Sequence, residues 1–453
     1  MDIKGKKIVV VGLARTGAAT ARFLKDRHAD VLVTDIRTEE TLCHYVNELN
    51  GLDIKMRLGE HPAEIFADAD LVVVSPGVCH DIAPLRKARA NGAPVIGEVE
   101  LAGRFIKEPI VAVTGTNGKT TTTTLIGRML DCSGIKTYVG GNIGTPLIEY
   151  ASGNKPADVI VAEISSFQLD TIDRFRPHVG VLLNITEDHL DRYADFAAYC
   201  SSKKRLFENQ TNSDVAILNA QDPCTGAIAA EIRCGKLFFD TKAPAAGGAA
   251  VNGRKITCLV PGREPALFDL TNFSPEGRHN LENAAAAALA ALSAGGTEAG
   301  IQDALDHFKG LPHRLAFVRS VNGVDYYDDS KGTNVDSLMR SLESFDAPVF
   351  LIIGGRDKGG GYSRLEPLIR KRAKKLFAIG EAGEKIIRAL GACVDIMPVA
   401  GIQEAVANAH REAVAGDVVL LSPACSSFDM FRDYAERGEV FCKAVRLIDE
   451  DGK

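Results

Sequence analysis

The sequence predicts an α/β protein made of three successive domains. A length of 453 residues, set against about 150 for a typical domain, allows three. Strand-sized apolar runs alternate with helical-period segments along most of the chain, the pattern of parallel sheets covered by helices. The alternation breaks near residues 94–97 and again at Gly310-Leu311-Pro312, and no fixed-period repeat replaces it. The expected domains are therefore residues 1–98, 99–309 and 310–453.

Composition narrows the function classes. Hydrophobic residues are 45% and charged residues 25%, the balance of a folded globular chain. A net charge of -6 excludes a general nucleic-acid binder, which needs a basic surface. The ten cysteines form no Cys-x-x-Cys pair and read as reduced thiols. No apolar run approaches the roughly 20 residues of a membrane span, and Met1-Asp2-Ile3-Lys4-Gly5 runs into a short strand instead of a signal segment. A cytoplasmic protein with no membrane insertion is expected, and a monomer.

In the first domain, strands are expected at 7–12, 29–34 and 70–75. Gly12-Leu13-Ala14-Arg15-Thr16-Gly17 follows the first of them and Asp35 ends the second, which raises a dinucleotide site. Ala14 stands where the fingerprint's second glycine lets a pyrophosphate approach the backbone, so the NAD reading is weak. Taken alone, Asp35 and Arg37 read as a surface ion pair.

The second domain opens on a strand at 109–115 and continues with strands at 159–164 and 178–184. After the first comes Gly115-Thr116-Asn117-Gly118-Lys119-Thr120-Thr121 and then a helix to about Leu130. A strand, a glycine turn and a helix N-terminus make a phosphate cradle: amides point inward, Lys119 can reach the β and γ phosphates, and the Thr120 hydroxyl can bind magnesium. The loop is two residues shorter than the usual P-loop. Glu163 ends the next strand, where a carboxylate can hold magnesium through oxygen. Asn184-Ile185-Thr186-Glu187-Asp188-His189-Leu190-Asp191-Arg192 follows the third strand and puts His189 on the same rim. Lys203-Lys204 reads as solvated helix charge. Residues 236–275, rich in Gly, Ala and Pro with an Asn252-Gly253 hairpin signal, read as short antiparallel strands, and 283–294 as an alanine-rich helix.

The third domain is expected to carry strands at 347–354, 375–380 and 417–422. The fold class is thus two Rossmann-like domains flanking a central P-loop ATPase domain that has a parallel sheet plus a small antiparallel sheet.

Taken together, Thr114-Gly115-Thr116-Asn117-Gly118-Lys119-Thr120, Glu163-Ile164-Ser165-Ser166-Phe167-Gln168-Leu169, the Asn184 to Arg192 run and Gly310-Leu311-Pro312-His313-Arg314 resemble the Mur ligase family, ATP-dependent amide ligases of peptidoglycan precursor synthesis. The resemblance covers essentially the whole chain, and the shortened phosphate loop is the family's own form. Asp328-Asp329-Ser330-Lys331-Gly332-Thr333-Asn334 and Ser422-Pro423-Ala424-Cys425-Ser426-Ser427-Phe428-Asp429 look like the member that joins D-glutamate to UDP-N-acetylmuramoyl-L-alanine. The Asp-Asn-Pro-Arg motif of the diaminopimelate-adding relative is absent.

The resemblance implies roles by motif. Residues Gly115 to Thr121 would hold the ATP phosphates, with Asn280, Asn283, Arg314 and Asp329 at the adenosine and γ-phosphate. Two Mg2+ ions would be bound by Thr120, Glu163, His189 and a carbamylated Lys203, chosen because Lys203-Lys204-Arg205-Leu206 fits the family's Lys-x-Arg pattern. The UDP end of the substrate would meet Arg15, Thr16, Asp35, Arg37, Ser75, Gly77 and Asn142. D-Glutamate would meet Thr333, Lys358, Ser427, Phe428 and Tyr434. Lys119, His189, Lys203 and Arg314 would be the catalytic set.

Overall fold

Lys7-Ile8-Val9-Val10-Val11 is buried from Ile8 onward, the pattern of a strand covered on both faces. In the computed structural model, which describes residues 1–153, 156–190, 192–241, 247–275 and 277–448, it forms β1 (Lys7–Val11). With β2 (Asp30–Asp35), β3 (Lys55–Leu58), β4 (Leu71–Val74) and β5 (Val95–Gly97) it makes a parallel sheet in the order β3-β2-β1-β4-β5. The stretch expected to close this unit thus contributes its edge strand. The order reverses between β1 and β4, and the crevice at their C-terminal ends is where open α/β sheets take ligands. Gly17 lets the helix Arg15–Asp26 sit close to that end: a Cβ on it would lie 1.9 Å from the Gly12 carbonyl oxygen.

The second sheet has nine strands: β6 (Ile110–Thr114), β7 (Thr137–Gly141), β8 (Val159–Glu163), β9 (Val179–Leu182), β10 (Val215–Asn219), β11 (Gly235–Thr241), β12 (Gly248–Asn252), β13 (Lys255–Leu259) and β14 (Ala266–Asp269), in the order β14-β13-β12-β11-β10-β9-β6-β8-β7. Pairing is parallel from β7 through β12 and antiparallel from β12 through β14. The β12–β13 hairpin closes one residue past the expected pair: Asn252 pairs with Lys255, and the two-residue loop is Gly253-Arg254 with Gly253 at φ 57°. Two further expectations need correction. The antiparallel strands extend the parallel sheet and form no separate one, and β11 is parallel to both of its neighbours. Gly248 permits this junction, since a Cβ there would lie 2.0 Å from the Phe238 carbonyl oxygen. Residues 242–246 of this stretch lie outside the described residues, as does Asp191. The alanine-rich helix is Arg278–Ser293, five residues longer at its start than its composition suggests. Ala284 to Ala288, Ala290 and Ala291 are wholly buried, so small side chains here serve close packing as well as helix propensity.

These two sheets belong to one unit of the chain, comprising Met1–Ile185, Ala197–Asp269 and Ala284–Leu305. The other unit, Thr186–Phe196, Leu270–Asn283 and Asp306–Lys453, holds a six-stranded sheet in the order β15-β16-β20-β17-β18-β19: β15 (Ala316–Val321), β16 (Val324–Asp328), β17 (Val349–Gly354), β18 (Ala373–Ile379), β19 (Ile396–Pro398) and β20 (Val418–Leu421). Only β15 and β16 pair antiparallel. Along β17 the apolar run splits by parity. Leu351 and Ile353 pack with Leu338, Leu342 and Ile386, whereas Phe350 and Ile352 pack with Phe377, Val406 and Phe441. A sheet with two apolar faces is what a near-continuous hydrophobic strand encodes.

Candidate active site

The phosphate loop is fixed mostly by its own neighbourhood. Gly115 (φ 150°) and Gly118 (φ 85°) hold backbone conformations that side chains rarely take, and the helix Lys119–Cys132 starts directly after them. Asn184, at the end of the strand beside β6, ties the loop down: its carbonyl accepts from Thr116 N–H (2.9 Å), its Oδ1 from Asn117 N–H (2.8 Å), and its Nδ2 donates to Asn117 O (3.0 Å). Lys119 Nζ donates to Gly115 O (2.9 Å) and Thr116 O (2.8 Å). Lys203 Nζ, 1% exposed, donates to the same Gly115 O at 2.8 Å. Two lysines expected in one role set are therefore brought together. The reading of Lys203-Lys204 as solvated charge is half right: Lys204 pairs with Glu231 at the surface (2.8 Å), while Lys203 points inward.

Glu163 ends β8 as expected, buried, with Oε1 accepting from Asn142 Nδ2 at 2.7 Å and its carbonyl accepting from Asn142 N–H at 2.8 Å. A Cβ on Gly141 (φ 102°) would lie 2.5 Å from that carbonyl, which explains the glycine directly before Asn142. Oε2 of Glu163 is buried with no hydrogen-bond partner. An anionic oxygen left without a donor inside the fold is costly.

In the β1–β4 crevice, Asp35 and Arg37 form an ion pair (2.8 Å), yet Asp35 is buried. Its Oδ1 accepts from the Arg37 N–H (2.9 Å) and Nε (3.0 Å), and its Oδ2 from Leu13 N–H (2.7 Å) and Arg37 Nη2. Burial alone would push this carboxyl up, but the Arg37 side chain and the two amides hold it below the usual range. Asp35 thus fixes the turn after β1. Ser75 Oγ donates to Gly12 O (3.0 Å), Arg15 reaches Thr145 Oγ1 (3.5 Å), and Thr16 O accepts from Thr20. Gly77, two residues past Ser75, has open space where a side chain would be.

In the other unit, Asp329 is enclosed by Ser341 Oγ and Ser422 Oγ on Oδ2 (both 2.7 Å) and by Leu315 N–H on Oδ1 (3.2 Å). Burial pushes its carboxyl up to about 6, against the pull of both hydroxyls and of Arg314. Asn280 and Asn283 are buried one helical turn apart, 3.5 Å between side-chain amide and oxygen. His189 stands at φ 58° with its N–H on Asp188 Oδ1 (3.0 Å). Thr333 and Lys358 line one open cleft together with Asp188, Glu187 and Arg364. Ser427, Phe428 and Tyr434 do not line it: Ser427 is buried and Phe428 is 62% exposed, and the Tyr434 ring carries Lys331 Nζ 3.6 Å above it.

Three family models match in succession: a MurD-like N-terminal domain over residues 6–97, the Mur ligase middle domain over 113–291, and the Mur ligase glutamate ligase domain over 313–425. A protein of Geotalea daltonii named UDP-N-acetylmuramoylalanine--D-glutamate ligase is 53% identical over 449 residues, 99% of each chain. The chain belongs to the Mur ligase family. A relative of the same name from Desulfatibacillum aliphaticivorans is 51% identical over 99% of this Mur ligase and 100% of that protein. Among solved structures, UDP-N-acetylmuramate-alanine ligase of Thermotoga maritima aligns over 97% of this chain and 99% of its own with a TM-score of 0.59 at 20% identity, and supports the three-domain fold alone.

What sequence reasoning missed in this Mur ligase are the residues that hold the sites in place. Arg437 is fully buried and donates to Ser330 Oγ (3.0 Å), Ser330 O (2.8 Å), Cys425 O (3.1 Å) and Ser426 O (3.3 Å). It clamps the 328–334 loop to the 422–428 loop. No local signal marks an arginine in a helix as buried. Asn184 lay inside a quoted motif, and its position just past an apolar strand was the available clue.

A divalent cation is tested by donor chemistry. Glu163 Oε2 fits, being anionic, hard and without a partner, and the Thr120 hydroxyl lies at the start of the loop's helix. Lys203 as an ammonium does not fit, since it donates to an oxygen. Among the described residues no three His, Cys, Asp or Glu side chains gather as a metal cluster.

Proposed function

We propose that this Mur ligase uses ATP to join D-glutamate to UDP-N-acetylmuramoyl-L-alanine, in cytoplasmic peptidoglycan precursor synthesis. The observation that carries this reading is the 53% identity across 99% of both chains to a ligase of that name. The phosphate loop supports it, and ATP use is supported further by a MurF ligase of Thermotoga maritima, solved in complex with ADP, that shares the fold (TM-score 0.60, 16% identity, covering 98% of this chain and 95% of its own).

A carboxylate oxygen of the alanyl substrate attacks the γ-phosphorus, and ADP leaves to give an acyl phosphate. The D-glutamate amine attacks the acyl carbon, and the tetrahedral intermediate expels inorganic phosphate. Catalysis is mainly positioning and charge neutralisation. Lys119, released from Gly115 O and Thr116 O, donates to the phosphates within the Gly115 to Thr121 cradle. Arg314 neutralises the transferring group, while Asn280, Asn283 and Asp329 serve the adenosine end. Arg15, Thr16, Asp35, Arg37, Ser75, Gly77 and Asn142 serve the UDP end. Thr333, Lys358, Ser427, Phe428 and Tyr434 serve D-glutamate. Thr120, Glu163 and His189 would hold up to two magnesium ions, which supply charge neutralisation at the phosphates.

Carbamylation of Lys203 belongs to the same proposal. Two ammonium groups crowd Gly115 O, and converting one to a carbamate would replace that repulsion with an anionic metal ligand. Lys203→Ala is expected to lose activity and regain part of it with added short carboxylates; full activity without them would end this assignment. Domains at 1–98, 99–309 and 310–453 and a monomeric state complete the proposal. Among the described residues, no helix is long and apolar enough to cross a membrane.

The deciding experiment measures phosphate release with UDP-N-acetylmuramoyl-L-alanine and ATP across D-glutamate, L-glutamate and diaminopimelate. Release with D-glutamate alone is expected. Release with diaminopimelate instead would overturn the acceptor assignment.

A further inference from the structure

The cleft that holds Thr333 and Lys358 has a second cation in its wall. Arg364 lies on the short 3-10 turn Tyr362–Leu365, after the glycines 359–361 that shape the cleft floor. Its Nη2 donates to Asp336 Oδ1 at 2.9 Å, which orients the guanidinium, and its Nη1 reaches Glu187 Oε2 at 3.4 Å. Lys358 Nζ stands 3.8 Å from Asp188 Oδ1. Beyond Asp336, Arg364 therefore faces Glu187 while Lys358 faces Asp188, and these two carboxylates come from the same two-residue step of the chain.

A dicarboxylic amino acid carries two anionic ends, and two cations set apart in one cleft can take one each. Lysine acts as a point charge, whereas the arginine fork fits a carboxylate in a defined plane. The Arg364 side chain is 44% exposed and that of Glu187 53%, and pairs so exposed are held weakly and exchange readily. Asp336 keeps Arg364 in position whether or not Glu187 is there.

We propose that Arg364 is a specificity-determining residue of the ligase reaction: with Lys358 it forms a two-point clamp for the two carboxylates of the amino-acid substrate, which displace Glu187 and Asp188 from the same cations. The inference rests on D-glutamate being the acceptor.

The test compares the parent enzyme with Arg364→Gln, Arg364→Lys and Glu187→Gln in the phosphate-release assay, using D-glutamate and D-glutamine, which lacks the second carboxylate. Arg364→Gln should raise KM for D-glutamate at least tenfold while KM for ATP changes less than twofold, and should shrink the parent's preference for D-glutamate over D-glutamine. Arg364→Lys, which keeps the charge without the fork, should recover part of that preference. Glu187→Gln removes a competing carboxylate and should lower KM for D-glutamate. An Arg364→Gln enzyme that keeps the parent's preference overturns the inference, as does a parallel rise in both KM values. If the parent itself releases no phosphate with D-glutamate, the acceptor reading falls and this inference with it.

Discussion

The phosphate loop and the paired loops 328–334 and 422–428 solve the same problem, holding polar backbone in place, in opposite ways. In the first, most constraints lie within a few residues: two glycines set the turn and Lys119 folds back on Gly115 and Thr116, with distant residues such as Asn184 and Lys203 pinning the rest. In the second, the constraints come from far along the chain. Arg437 reaches Ser330 across 107 residues, and Ser422 reaches Asp329 across 93. A site written into contiguous residues should lose its chemistry when mutated and keep its fold. A site assembled from distant residues should lose stability first.

The largest expected effect tests the contiguous half. Lys119→Ala should reduce the phosphate-release rate by about a thousandfold, the scale for removing one charge-stabilising donor from a transition state, with little change in the unfolding midpoint. A matching fall in stability would mean that the resting bonds of Lys119 to Gly115 O and Thr116 O hold the loop together, and the contrast would fail.

Next comes the distributed half. Burial pushes the Arg437 guanidinium down to about 10, so it is still protonated at neutral pH, and its partners are one hydroxyl and three carbonyls. Arg437→Met fills the space but leaves those carbonyls without their donor. A loss of about 3 kcal/mol, read from urea unfolding, is expected. An unchanged midpoint would show that the two loops hold without the clamp.

The same contrast explains what could be read from the sequence. Strands β1, β2 and β4, β6, β8 and β9, and β17, β18 and β20, together with the phosphate loop, Glu163 at a strand end and a hairpin at Gly253, are each encoded by residues adjacent in the chain and lie where they were expected, whereas β7 and β10, the latter in the middle of its sheet, went unpredicted. Asn322-Gly323 carries the same turn signal as 252–253 and closes β15 onto β16 with φ 51° and 76°, but the flanking segments alternate weakly and their strands went unpredicted. The short edge strands β3, β5 and β19 have too few residues to show a period. Lys203 and Arg437 look like surface charges in any window around them, because burial depends on what the fold packs against them. The cleft lined by Lys358 and Arg364 shows this most plainly, since nothing near Arg364 in the sequence announces that Glu187 will face it.

The smallest effect tests whether a distant contact in the unit that carries the phosphate loop behaves like those around Arg437. Glu98, at the start of the helix Glu98–Gly103, accepts the Ile148 N–H on Oε1 at 2.7 Å, while its Oε2 is buried without a partner. Burial pushes this carboxyl from 4.5 up to about 7, with the Ile148 and Leu147 amides opposing the shift and Glu149 adding to it. Because the folded pKa lies above the ordinary one, the native state binds this proton more tightly than the unfolded chain does. The contribution to stability is therefore greatest below pH 4.5, declines as pH rises from 4.5 to 7, and is absent above that range. Glu98→Gln keeps an acceptor for Ile148 and removes the charge. It should stabilise the protein by about 2 kcal/mol near pH 8 and by little at acid pH where the parent is protonated, with phosphate release unchanged. A gain of the same size at both pH values would mean that packing, not ionisation, governs this contact.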